Sequence, residues 1–152
     1  MYKYLFLLPL LFGTVSLAAQ TPEYGGYVKY AASTPGTITV ISNGFGKKMR
    51  ESGKDANAGA FYAVLFRGIA DSRYQLPLVS DEAGKKNDPI VTGLLTGGYG
   101  SFVIEDILVS QEAQTRKVDG SKGILTVHKI TIDYDALRKY LEQNGVIRKF
   151  GY

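Results

Sequence analysis

Few side chains in this chain could do acid–base or metal chemistry. There is one histidine, His128, no cysteine, and carboxylates that neighbour one another at Asp81-Glu82, Glu105-Asp106 and Asp133/Asp135. A single imidazole cannot build a histidine-based zinc cluster, and the lack of cysteine removes disulfides, thiolate metal sites and cysteine nucleophiles. A serine–histidine–aspartate constellation is recognised by geometry rather than residue type. In the middle of a strand, His128 reads as a cross-strand packing residue. Glycoside hydrolysis needs two carboxylates about 5–10 Å apart across a cleft. Asp81 and Glu82 fall in a charged loop, Glu105 and Asp106 alternate faces of a strand, and helix capping accounts for Asp133 or Asp135. Gly44-Phe45-Gly46-Lys47-Lys48 lies between a strand and a helix, where phosphate loops occur. It lacks both the P-loop spacing and the third glycine of a dinucleotide fingerprint, and reads as a tight turn. The expectation is a protein that is not an enzyme, with no catalytic, cofactor-binding or metal-ligating residue and no cofactor.

Binding chemistry has more support. Tyr24-Gly-Gly-Tyr27-Val-Lys-Tyr30 interleaves aromatic rings with glycine, giving flat surfaces for a sugar ring or a partner chain, although the favoured account is an arm docked on its own domain. Arg116 and Lys117 sit at the end of a long polar strand, and they join the three tyrosines as possible contact residues. Lys47/Lys48/Arg50, Lys85/Lys86 and Arg148/Lys149 form a patch only where the fold gathers them.

These residues must be positioned by one modest domain. The chain has 152 residues and a formal charge of +4. Its start has the order of an export signal: Lys3, an apolar run from Leu5 to Phe12, then small residues through Ala18 and Ala19. The run is far short of the roughly 20 residues that span a bilayer, so residues 1–19 are expected to be a cleaved signal peptide, leaving no transmembrane span. Export to the periplasm or cell surface disfavours nucleic acid as a partner and suits acidic lipid headgroups, anionic glycans or an acidic protein.

Residues 20–36 read as an extended arm, and 37–152 as a single α+β domain. Thr37 to Ser42 is a β-branched run that predicts a strand, ended by a turn at 43–46. Ser52-Gly-Lys-Asp55 has capping-box spacing, and the stripe Ala56, Ala60, Ala63, Val64 predicts a helix over about 55–67, closed by Gly68-Ile69. Residues 70–100 are turn-rich, with 89–95 undecided between helix and strand. Period-two patterning from Ser101 predicts a strand to Val118, a turn at 119–123 and a partner strand from Ile124 to Tyr134. A parity switch between Leu125/Val127 and Ile130/Ile132 suggests a bulge near His128-Lys129. A capped helix over 136–144 ends at Gly145-Val146, and Ile147 to Tyr152 is a basic, aromatic tail. The order gives a two-layer sandwich, a mainly antiparallel sheet with two helices on one face.

Three stretches carry a resemblance: the strand ending Ser42-Asn-Gly-Phe-Gly46, the small-residue helix closing with Leu65-Phe-Arg-Gly68-Ile69, and the hairpin leading into Ile132-Asp-Tyr-Asp135-Ala-Leu137 and on to Gly145-Val146. Together they resemble uncharacterised exported Bacteroidetes proteins. More distantly they are similar to the N-terminal domain of the flagellar-assembly T protein and to related outer-membrane lipoproteins. The lipid-bearing cysteine of those lipoproteins is missing. The resemblance implies an envelope-associated accessory role and brings no catalytic residues.

The function expected from the sequence is that of a non-enzymatic envelope accessory protein. It would touch a partner protein of the envelope through its arm or its projecting hairpin, in an oligomeric state that the residues leave open. The alternative is a glycan-binding module or hydrolase with its site in the 70–100 loop.

Overall fold

The computed structural model describes residues 26–117 and 119–149. Residues 1–25, among them the expected leader and Tyr24, and the last three residues lie outside that range. The fold is α+β, with a four-stranded antiparallel sheet in the order β1-β2-β4-β3. The strands are β1 (Val28–Thr34), β2 (Thr37–Gly46), β3 (Val103–Thr115) and β4 (Lys122–Asp133). The helices are α1 (Met49–Tyr62), continued by a π-helical turn over Ala63–Arg67, the short α2 (Glu82–Lys85) and α3 (Pro89–Leu95), and α4 (Tyr134–Gln143).

One face of the sheet carries the core. Ile38 and Val40 of β2 sit beside Ile130 and Ile132 of β4, all fully buried, against Ala60 and Phe61 of α1, Val64 of the π-helical turn, and Leu137 and Leu141 of α4. Each such aliphatic side chain contributes about 1.5–3 kcal/mol through burial. The small residues of α1 let its backbone lie close to the sheet. Gly44 carries that approach furthest, since a Cβ there would stand 1.9 Å from the Ser52 carbonyl oxygen and 2.4 Å from the Ala56 nitrogen.

Four expectations are corrected. The second half of the supposed arm, Val28–Thr34, is a strand paired with β2 around a Pro35-Gly36 turn, because Val28 and Tyr30 pack on the core. Residues 43–46 continue β2, their glycines serving contact with α1 rather than a turn. The helix begins at Met49: Ser52 is buried inside it, with its hydroxyl on the Gly44 carbonyl and on Thr126. Glu51 meets the Lys47 amide in place of a cap at Ser52. Finally, β4 runs in unbroken register with β2 from Asp133 to Ile124, and the irregularities fall in β3, between Val103 and Glu105 and between Leu108 and Ser110.

Other expectations hold. The helix closes at Gly68 with φ +72. The last carbonyls of this helix, which an α-helix end leaves unpaired, accept from the returning chain: Val64 from the Leu78 amide and Leu65 from the Val79 amide. Residues 89–95, which the sequence leaves undecided between helix and strand, are a helix capped by Asp88. Asp133 caps α4 through the Ala136 amide, and Val146 closes it over the Leu141 carbonyl beyond Gly145.

Candidate functional site

The edge strand β3 is the least covered element of the fold. Among the described residues it pairs on one side only, with β4, while α1 lies over β2 and β4. Every residue from Ile104 to Thr115 is exposed, including Ile104 at 58 %, Val109 at 57 %, Ile107 and Leu108. A strand edge presents a row of unpaired backbone groups, and this one adds a run of apolar side chains. Beyond it the ribbon narrows to a local turn, with Arg116 and Gly120 joined through their backbones and Asp119 accepting from Ser121. Those Ser121 bonds hold the Asp119 carboxyl below its ordinary value.

The sequence-derived contact residues are dispersed. Tyr24 lies outside the described residues. Tyr27 is exposed at 61 % just before β1. Tyr30 is half-buried on the core, its hydroxyl 3.1 Å from that of Ser33. The Arg116 guanidinium stacks 4.9 Å from the Phe45 ring centroid, on the sheet face away from the helices, and Lys117 is exposed beside it. The fold brings Arg116 and Lys117 to the end of β3 and leaves Tyr27 and Tyr30 at the far edge of the sheet.

One polar constellation escaped the sequence reading. The Asp106 carboxylate binds His128 Nδ1 at 2.6 Å and the Asn57 amide at 2.8 Å, and that amide also donates to the Gly53 carbonyl. This ties β3 to α1. With Nδ1 donating to Asp106, the geometry is the orienting half of an acid–base pair. His128 Nε2, however, is buried without a hydrogen-bond partner, its ring lying over Gly53 of the helix. No nucleophilic hydroxyl is bonded to it. Burial, and then the charge of Asp106, push the nearby Tyr99 phenol above its ordinary value. The missed signal was register: Asp106 and His128 share a face only because of how β3 pairs with β4.

The remaining carboxylates cap helices, stay exposed or are bound locally, Asp55 by the Phe45 amide and Glu142 by Arg138, and no group of three or more histidine, aspartate or glutamate side chains among the described residues is arranged to hold a metal. No helix among them is long and apolar enough to cross a membrane. The 70–100 segment does form a groove against α4 and the chain after it, where Arg73, Lys85, Arg138 and Arg148 meet Asp81 and Asp135. Lys85 and Arg148 are thereby gathered, as a patch requires. No family model matches this chain, and no curated protein or solved structure resembles it.

Proposed function

We propose that this is a non-enzymatic accessory protein of the cell envelope, exported by its leader, that acts by protein–protein contact through the β3 edge and the hairpin tip. The observation that carries the reading is the exposure of β3 from Ile104 to its end, with apolar Ile104, Ile107, Leu108 and Val109 uncovered. Pairing with an extended segment would satisfy its free backbone groups while covering those side chains, the usual chemistry of strand addition. The leader-like order of residues 1–19 and the resemblance to exported envelope proteins support the location. A photo-crosslinking side chain at Val109, in protein expressed in its native envelope, should give protein adducts. The same probe at exposed Lys139 on α4 should give none. Equal labelling at both positions, or none at Val109, would overturn the reading.

A second reading rests on the groove beside α4. Its four cationic side chains outnumber its two carboxylates, which suits an anionic glycan, and calorimetric titration with an acidic oligosaccharide tests it.

A further inference from the structure

Taking β3 as the contact element, we propose that its partner is β3 of a second copy, the two strands running antiparallel about a two-fold axis. The charge order along the strand points to this occupant. β3 begins acidic, at Glu105 and Asp106, carries one further acid at Glu112, and is followed directly by basic Arg116 and Lys117. An antiparallel copy of such a strand sets acid against base at both ends, and opposite charges directly across a pair are favourable where like charges are not.

Face matching fixes the register. Residues directly opposite one another in an antiparallel pair point to the same side of the sheet. Glu105 pairs with Thr131, and Arg116 stacks on Phe45; all four lie on the side away from the helices. Eleven positions apart, Glu105 and Arg116 would face opposite sides of a regular strand. The irregularity between Leu108 and Ser110 restores them to one side. Setting Glu105 opposite Arg116 of the other copy then lays residues 105–108 against 113–116, and Leu108 falls opposite Ala113. The same four-residue ladder recurs on the other side of the axis, and the two bulges face each other's neighbours between them. Centring the axis on Leu108 instead leaves Arg116 and Lys117 without acidic partners. Centring it on Asp106 sets carboxylate against carboxylate. The matched register joins two sheets into one of eight strands with both helical layers on the same side.

Sedimentation equilibrium of the pure mature protein over a range of concentrations tests this. The expected result is a monomer–dimer equilibrium that weakens as salt rises, because exposed charge pairs are screened. Glu105→Arg alone and Arg116→Glu alone should each weaken dimerisation roughly tenfold, since each replaces two attractive contacts with repulsive ones. The two together should restore it to within a few-fold. Circular dichroism checks that each variant is folded. A protein monomeric at every concentration, or a double variant that fails to recover, overturns self-pairing. If a monomeric protein still crosslinks through Val109 to a different envelope protein, β3 remains the contact element and only its partner changes; if it does not crosslink, the contact reading falls as well.

Discussion

Two glycines in adjoining elements, Gly44 and Gly53, answer to different constraints. At Gly44 a methyl group would collide with the backbone of α1 at Ser52 and Ala56. Gly44→Ala should therefore lower stability by about 1–3 kcal/mol or more, as overpacking does. At Gly53, inside the helix, the nearest atoms to an added methyl are those of the His128 ring at 3.5 and 3.6 Å, ordinary contact distances. Glycine in a helix interior costs about 1 kcal/mol relative to alanine, so Gly53→Ala should raise stability by up to that amount. Urea unfolding of the pair checks both signs. Asp106 supplies the acceptor for both Asn57 and His128 Nδ1. Asp106→Ala removes the acceptor of the half-buried His128 Nδ1 and one of the two acceptors of the buried Asn57 amide, and should cost about 1–3 kcal/mol. Hydrogen exchange should also quicken in β3 near residue 106, because that strand has lost its tie to α1. Little of this was legible in the sequence. The spacing of Gly44 and Gly46 is the same for a turn as for a close approach, and only the packed helix decides between them.

At the scale of elements, legibility followed the strength of local signals. The end of α1 was readable because glycine alone suits the positive φ at Gly68, where a Cβ would also strike the Gln75 carbonyl. The start of α1 was not, because its cap is a glutamate reaching back to an amide, with no side-chain cap at Lys48. β1 was hidden by its composition: glycine before it, proline after it, and only two core-facing apolar residues. The C-terminal hairpin was readable in extent, yet its bulge was assigned to the wrong strand. Leu125 and Val127 lie on the open face of a regular β4, and that half-buried face mimics a parity switch. The tip of this hairpin holds its own turn without reaching the core. Deleting Arg116 to Lys122 and closing the ribbon with Asn-Gly should leave the melting temperature nearly unchanged, since a ribbon with no buried face gains little from burial. The same deletion removes Arg116 and should weaken the concentration-dependent dimer about as much as Arg116→Glu does. A large fall in melting temperature would place the tip in the core.

At the scale of the whole molecule, the described residues leave two open sheet edges of unlike character. β1 spans seven residues, is irregular between Tyr30 and Ala32, and carries Lys29. These features discourage edge pairing. Pairing of β3 with β1 of another copy would be head-to-tail and would propagate into filaments, whereas β3 with β3 closes at two. The sheet also has a consequence in time. Its central pair joins β2 to β4, and the Thr39 and Thr131 hydroxyls that meet across it are 92 residues apart in the chain. Nearly the entire polypeptide must therefore be present before the central ladder can close. Proteins dominated by such distant pairings fold slowly, because the entropy of closing the loop is spent before the contacts return it. A chain that cannot complete its sheet until its last strand is available stays unfolded while it is being made, the state in which a polypeptide can be threaded through a narrow channel.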